Sequence, residues 1–440
     1  MDTSHRAALE PPIVIESREE LIYLLCEAAE IEHMLMCEYL FAAFSLKRST
    51  DEGVTDQQLA AIKRWERTIA RVASQEMLHL ALVCNLLTAV GAGPHFRRPG
   101  FPQRSRYFPP GMQVALVPFS ETALRHFIFH ERPEGMEGED APEFAIDDWE
   151  PAPYVDGSEV VPVPQHFATV GHLYRSIEAG IEHLVERYGE DRVLLGPPEA
   201  QATARFFGWR DLIAVTDLAS AKTALDKIVE QGEGARGAWQ DSHYGKFLAV
   251  LDEYLALRKA DANFEPARPV RVARVRPAVD AADPDEARIS EPTTARIADL
   301  FNGSYETMIR VLTRFFLHAG ESDAEYTVLA RVAVRLMVDV LRPLGQLLTT
   351  LPIGSDYPGL NAGPSFAFYR TAYTLPHRAA AWTLLDERLH ALADTARRAC
   401  SHFGDHAAPQ ETLRRIEEKL RDAARMIEPH LDQMTAPAEP

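Results

Sequence analysis

Glu76 and His79 are two polar residues on the apolar side of a predicted helix. The stretch ASQEMLHLALVCNLLTAVG (73–91) repeats apolar residues at helical spacing, and both residues fall on that stripe. Residues three positions apart lie about one turn apart on one helix face, so both side chains can reach the same metal ion. A buried carboxylate is costly unless it is ion-paired or metal-bound. The spacing therefore favours a metal site, although a Glu-x-x-His pair alone also occurs by chance on surface helices.

Three further predicted helices place carboxylate or imidazole groups on their core-facing stripes. These residues are Glu32, Glu178, Glu233 and His243. The same feature in four helices indicates one shared site at the centre of a bundle, because di-iron and di-manganese four-helix bundles combine Glu-x-x-His pairs with single glutamates. We expect two iron ions, but Glu/His sites also bind Mn or Zn, so the identity of the metal stays open.

The second half of this site is irregular in sequence. Where a symmetric bundle would have a second Glu-x-x-His pair, the chain reads Glu230-Gln-Gly-Glu233, and the histidine follows ten residues later as His243. A helix bulge at the glycines would let His243 reach the metal. Glu230 is either a ligand or solvent-exposed, and in the second case only Glu233 binds.

Four more residues are candidates for the surroundings of the site: Glu38, Tyr39, His172 and Tyr174. For Glu38 and His172, an ion-paired or solvated role is the simpler interpretation. The two tyrosines are expected to hold a substrate, with core packing as the alternative.

Amphipathic periodicity predicts an all-α fold to position these residues. The predicted helices cover 19–47, 56–90, 120–130, 167–188, 217–233 with a continuation from 242, 295–319, 324–350, 378–402 and 409–433, with a short strand at Gln113–Val117. We expect a bundle in residues 18–257, a surface excursion in 258–297, a second helical pair packing on the bundle in 298–370, and C-terminal helices in 371–440. Within the bundle, the Pro-, Gly- and acid-rich insertion 92–165 is expected to act as a lid.

The composition indicates a globular protein and disfavours several functions. The chain has 440 residues, 46% of them hydrophobic, and a net charge of −19 that argues against nucleic-acid binding. Residues 131–160 contain eleven acids and one arginine, and this run is interpreted as a solvated loop. No signal peptide or membrane span is apparent, and the four cysteines lack metal-binding spacing. Three of them, Cys26, Cys37 and Cys84, fall in apolar helical segments as small hydrophobic residues, which suits a reducing cytoplasm.

Five blocks of the sequence together resemble a known family. The blocks are EIEHMLMCEYLFAAFSLK, ASQEMLHLALVCNLLTAVGAGPHFRRPGFP, TVGHLYRSIEAGI, IVEQGEG with SHYGKF, and LPIG with NAGPSF. In this order they are similar to the ferritin-like domain of the iminophenyl-pyruvate dimer synthases, which couple two aromatic imino-acid units in violacein-type and other bis-indole pathways. The resemblance spans roughly residues 18–370, and the best-known members are much longer chains.

The resemblance implies a ferritin-like four-helix bundle with long loop insertions and additional C-terminal helices. It implies metal ligands at Glu32, Glu76, His79, Glu178, Glu230, Glu233 and His243. After the T-[IV]-G motif this chain has His172 in place of an expected acid or amide. It further implies a non-haem di-iron oxidase or oxygenase of secondary metabolism that acts on a small, amino-acid-derived aromatic substrate and O₂.

Two other functions stay open at this point. One is a metal-binding, ferritin-like protein without turnover, and the other is a metal-free helical scaffold whose buried Glu and His side chains pair with each other. The sequence assigns no catalytic residue. A homodimer is a further expectation, and no nucleic-acid or membrane partner is expected.

Overall fold

The structure is a computed structural model that describes residues 12–103, 112–144, 161–162, 164–234, 239–276, 286–368 and 376–435. It divides into two compact units. The first comprises Met1–Ala202 and Trp209–Ala267, and the second comprises Thr203–Gly208 and Arg268–Pro440. Both units are mainly helical, so the all-α prediction is confirmed.

The α-helices of the described residues follow one another along the chain. They are α1 (Arg18–Ser45), α2 (Asp56–Ala89), α3 (Glu121–His130), α4 (Val170–Tyr188), α5 (Glu190–Val193), α6 (Ala204–Phe207), α7 (Leu218–Gly232), α8 (His243–Ala260), α9 (Pro292–Phe316), α10 (Asp323–Arg335), α11 (Arg342–Leu348), α12 (Arg378–Cys400) and α13 (Ala407–Thr435). A π-helical segment, Leu336–Leu341, joins α10 to α11.

Helices α1 and α2 form the centre of the first unit. Each begins with a capping box, formed by Ser17 with Glu20 and by Thr55 with Gln58, which satisfies backbone N–H groups of the first turn. α1 is buried on nearly every side, the pattern of a helix inside a large core. By length and composition α2 could cross a membrane, but 83% of its most apolar window is buried within the protein, as in a core helix.

Four other helices enclose this central pair. α3 packs on α8, α4 packs on both α1 and α7, and α7 and α8 each contact α2. These contacts place the C-terminal end of α3 and the N-terminal end of α8 beside the middle of α2, where Glu76 and His79 lie.

The predicted fourth helix of the bundle is two helices in the structure. α7 ends at Gly232, Glu233 caps it, and Gly234 has a φ of 86°, a left-handed conformation that favours glycine and ends a helix. α8 then begins at His243, and the side chain of Ser242 accepts a hydrogen bond from its first turn. The predicted interruption of this helix and its resumption near 242 are confirmed, and the glycines end α7 instead of forming a bulge inside it.

Two other local predictions are also corrected. The predicted strand Gln113–Val117 is reduced to a single bridge between Val114 and Gln103 in the described residues, because no neighbouring strand extends it. The stretch 258–297, predicted as a surface excursion, contains the end of α8, the strands β1 (Val270–Arg274) and β2 (Ala287–Arg288), and the start of α9.

The second unit contains α6, α9 to α13 and a small parallel sheet. The sheet has the order β2-β1-β3, where β3 is Asn361–Gly363. α12 packs on both α9 and α13. The regions 298–370 and 371–440, which the sequence analysis separated, therefore belong to one compact unit.

Candidate metal centre

Five ionisable side chains converge in the interior of the first unit. They are Glu32 from α1, Glu76 and His79 from α2, Glu131 directly after α3, and His243 at the start of α8. Each residue is at most 8% exposed. The helix packing described above brings together groups that are far apart in the sequence.

The carboxylate of Glu76 lies between the two imidazoles. Its Oε2 is 3.1 Å from Nδ1 of His79, and its Oε1 is 2.7 Å from Nδ1 of His243. The two remaining carboxylates stand at opposite ends. Oε2 of Glu32 is 3.3 Å from Nδ1 of His79, and Oε1 of Glu131 is 3.5 Å from Nδ1 of His243. The cluster thus consists of two overlapping triads that share Glu76.

This arrangement fits two metal ions. In each triad the potential ligand atoms lie within 4.8 Å of one another. Oε1 of Glu76 and both ring nitrogens of His243 are buried without a hydrogen bond of acceptable geometry, although burying an unsatisfied polar atom is costly. A carboxylate between two ions, with one imidazole and one outer carboxylate on each side, is a donor set of the di-iron and di-manganese type.

A second layer of hydrogen bonds orients these groups. The hydroxyl of Tyr39 donates to Oε1 of Glu131, and the hydroxyl of Tyr174 donates to Oε1 of Glu32. Nε2 of His79 lies 3.1 Å from Oε1 of Gln231. If Nε2 carries the proton and donates it to Gln231, the lone pair of Nδ1 is directed at the carboxylates. Histidines that bind metals are commonly held in this way.

The buried charges shift one another's pKa values. Burial, and then the Glu76 carboxylate, raise the pKa of Glu32 to about 8. Burial alone would also raise the pKa of Glu76, but the charges of His243 and His79 hold it well below its ordinary value. Burial would lower the pKa of His79, but Glu76 and Glu32 raise it well above its ordinary value. The cluster therefore holds positive charge next to Glu76. A metal cation can take the place of this charge when it displaces the protons of the histidines.

The cluster borders a cavity of about 20 Å³. Such a volume admits a water-sized group but not an aromatic molecule. Its wall includes Glu32, Glu76, His79, His130, Glu131, Arg132, Gly171, Tyr174 and Glu233. The end of α3, which belongs to the insertion predicted as a lid, therefore forms a wall of the site. The lid movement itself stays a prediction.

The structure brings together some of the predicted ligands and separates others. Glu32, Glu76, His79 and His243 meet, but Glu178 does not join them, because its carboxylate accepts a hydrogen bond from Arg175 at 2.8 Å on the outer side of α4. Tyr174, one turn earlier, reaches Glu32 instead. Glu230 is also placed outside, since its side chain is 61% exposed and lies 4.0 Å from Lys227.

Glu233 reaches the cavity without belonging to either triad. Its Oε2 accepts a hydrogen bond from the backbone N–H of Glu134 at 2.7 Å. It lies so close to α4 that a Cβ atom at position 171 would be 2.1 Å from this oxygen, so Gly171 provides the space for the carboxylate.

The four candidates for the surroundings of the site have different positions. Tyr39 and Tyr174, expected to hold a substrate, donate their hydroxyl protons to carboxylates of the cluster. Nδ1 of His172 lies 3.6 Å from Glu134 and outside the cluster. Glu38 is fully buried, contrary to the solvated role, and lies in a separate group with His126 and His130.

Sequence reasoning missed Glu131 and Gln231. Glu131 was included in the acidic run that was interpreted as a solvated loop, yet it is 8% exposed. The helical spacing of Leu124, Phe127 and Glu131 was a signal that could have identified it. No comparable signal marks Gln231, because a glutamine near a helix end is ordinary.

Comparisons with known proteins find two relatives that are similar to this chain in sequence. The chain is 27% identical over 434 residues to the dichlorochromopyrrolate synthase of Lentzea aerocolonigenes, covering 90% of this chain and 40% of the relative. It is 28% identical over 372 residues to the 2-imino-3-(indol-3-yl)propanoate dimerase of Chromobacterium violaceum, covering 80% of this chain and 34% of the relative. The chain thus spans well under half the length of both relatives.

The family follows from a match to a family model and not from the similarity to a solved structure. Among solved structures, a ferritin like protein from Caulobacter vibrioides aligns with a TM-score of 0.48 and 18% identity, covering 81% of this chain and 100% of that one. A family model of ferritin-like proteins matches residues 25–252, which include all five residues of the cluster. Since this match extends over more than half of the chain, the protein belongs to the ferritin-like family.

Proposed function

We propose that the protein is a ferritin-like oxidase or oxygenase of secondary metabolism with a dinuclear metal centre, and that iron is its metal. The observation that carries this proposal is the position of Glu76, whose two carboxylate oxygens face two imidazoles in a buried site. The ligands would be Glu32, Glu76 and His79 on one side and Glu76, Glu131 and His243 on the other. Bound iron would supply the redox chemistry that activates O₂.

The protein's own residues would fix the geometry and the protons of the site. Tyr39 and Tyr174 each hold a proton against an outer carboxylate. Burial, and then Glu131, raise the pKa of Tyr39 well above its ordinary value, and burial and Glu32 do the same for Tyr174. Both hydroxyls therefore stay protonated and keep Glu131 and Glu32 oriented towards the centre.

We infer an aromatic 2-imino acid as the substrate class. Support comes from the relatives, one of which is named for dimerising 2-imino-3-(indol-3-yl)propanoate. Arg132 adds an argument from the site, because this residue lines the cavity and carries a permanent positive charge that suits a carboxylate. The cavity is too small for an indole ring, so the ring would lie outside it.

The redox balance of such a reaction gives a measurable product. Joining two imino-acid molecules at two C–H positions forms one carbon–carbon bond and releases two protons and two electrons. One O₂ that takes up these two protons and two electrons becomes hydrogen peroxide. A dimerase-type reaction therefore consumes one O₂ for each dimer formed.

The test uses the full chain reconstituted with Fe(II) under anaerobic conditions. O₂ is then admitted with the 2-imino acid of tryptophan or phenylalanine, and O₂ uptake, peroxide and the mass of the product are recorded. Glu76→Gln should abolish uptake, whereas Glu178→Gln, outside the cluster, should retain it. Bound metal without O₂ uptake would favour a metal-binding protein without turnover, and no bound metal would favour the scaffold.

A further inference from the structure

A second buried group of metal-ligand side chains lies between α1 and α3. α3 carries His126 and His130 four residues apart, so both rings lie on one helix face, and that face meets Glu38 of α1. The side chains of all three residues are completely buried. None of them belongs to the two triads around Glu76.

The distances in this group suit one ion coordinated by three side chains. Nε2 of His126 is 3.3 Å from Oε1 of Glu38, and Nδ1 of His130 is 3.4 Å from Oε2 of the same carboxylate. A tetrahedral ion bound at about 2.0–2.1 Å separates its ligand atoms by about 3.4 Å. Each contact thus has the spacing of two ligands of one ion, and one ligand atom from each of the three residues lies within 4.8 Å of the other two.

The atoms that face this centre have no hydrogen bonds among the described residues. Both carboxylate oxygens of Glu38, Nε2 of His126 and Nδ1 of His130 are buried without a hydrogen-bond partner. Four unsatisfied atoms in one buried group would be strongly unfavourable in a dry interior. A shared cation would satisfy all of them.

The opposite sides of both rings are held by oxygen acceptors. Nδ1 of His126 is 2.8 Å from Oδ1 of Asp140, and Nε2 of His130 is 2.9 Å from the backbone carbonyl of Gln113. A neutral imidazole that donates its proton to such an acceptor offers the lone pair of its other nitrogen. Those other nitrogens are the two that face Glu38.

We propose that Glu38, His126 and His130 bind a third metal ion, mononuclear and divalent, in a site separate from the centre around Glu76. Two imidazoles and one carboxylate are a donor set for Zn²⁺ or Fe²⁺, and they leave one or more positions open for water. Mg²⁺ and Ca²⁺ do not suit the site, because they bind oxygen ligands. The ion would tie α3, which supplies a wall of the main centre, to α1.

The first test counts metal in purified full-length variants. Glu38→Gln and His126→Gln should each hold one equivalent fewer than the wild type. Glu76→Gln should keep that equivalent, and His172→Gln, a histidine outside both groups, should match the wild type. Unchanged metal content in folded Glu38→Gln and His126→Gln proteins would overturn the proposal.

A second test needs no variant and therefore does not depend on whether variants fold. Crystals of the wild type soaked with Zn²⁺ or with Fe²⁺ under anaerobic conditions are measured at the absorption edge of each metal. An anomalous peak between Glu38, His126 and His130 is expected, and the soak that produces it identifies the preferred ion. The absence of a peak in both soaks would reject the site, whether or not the centre around Glu76 is filled.

Discussion

Oε1 of Glu76 lies 2.7 Å from Nδ1 of His243, although the two residues belong to α2 and α8. This contact closes the second half of the cluster, because the other oxygen of Glu76 already faces His79. The chain thereby builds an almost symmetric site from an asymmetric sequence.

The first prediction concerns the central carboxylate. Glu76→Gln should lose both metal ions of the main centre, since a neutral amide cannot link two cations flanked by imidazoles. Glu178→Gln should retain both ions, because Glu178 is bonded to Arg175 outside the cluster. Elemental analysis of the two proteins, purified in parallel, checks the result. Loss of metal in the Glu178 variant would show that α4 contributes a ligand after all.

The second prediction concerns the glycine beside Glu233. A methyl group at position 171 would displace the Glu233 carboxylate, which is the movable end of a flexible side chain. We expect Gly171→Ala to change the free energy of unfolding by less than about 1 kcal/mol while it alters metal affinity. Gly93→Ala is the matched control, since a Cβ there has nothing within 4 Å. Unchanged metal affinity in Gly171→Ala would exclude Glu233 from the metal surroundings.

The third prediction concerns the orientation of His79. Gln231→Leu removes the acceptor for Nε2 of His79 and should weaken metal binding by about 10–100-fold. Gln231→Glu keeps an oxygen at this position and should restore much of the affinity. Competition with a chelator of known affinity measures both variants. Equal affinity in Gln231→Leu and the wild type would mean that the contact does not position His79.

The fourth prediction concerns pH and a carboxyl group away from the metal centre. Burial, and then the Glu30 carboxylate, raise the pKa of Glu27 to about 8. The folded protein therefore keeps this proton to about pH 8, whereas the unfolded chain loses it near the ordinary value of 4.5. The contribution of Glu27 to the free energy of unfolding is thus fully present below pH 4.5 and is lost as pH rises to 8.

Glu27→Gln cannot ionise and should remove this loss. The variant should be more stable than the wild type at pH 8, by at most about 5 kcal/mol, and the difference should shrink towards pH 5. Urea unfolding at several pH values measures the effect, with Glu19→Gln on the exposed side of α1 as the control. A variant that is less stable than the wild type at pH 8 would contradict the assignment.

Periodicity predicted the parts of the site that lie inside long helices. Glu32, Glu76 and His79 each sit on an apolar stripe, and a polar residue on such a stripe must meet another polar group or an ion. Glu178 shows the limit of this argument, since it lies near the edge of the stripe on α4, where a neighbouring arginine decides which way the carboxylate points.

The residues at helix ends were harder to predict in the same way. Glu131, directly after α3, continues the helical spacing of Leu124 and Phe127, but it also begins the acidic run and was therefore assigned to a solvated loop. His243 was placed in the site after an interruption of the helix, and the structure has it as the first residue of α8. The second group with Glu38 was missed because His126 and His130 belong to a short helix whose partner on α1 only the tertiary fold reveals.

Neighbouring residues of two elements are divided between the two groups of ligands. On α1, Glu38 belongs to the group with His126, whereas Tyr39 bonds to the main cluster. At the end of α3, His130 and Glu131 are divided in the same way. An insertion or deletion of one residue in the middle of α1 would rotate Glu38 and Tyr39 together by about 100° about the helix axis. The register of α1 against α3 is therefore fixed for both sites at once.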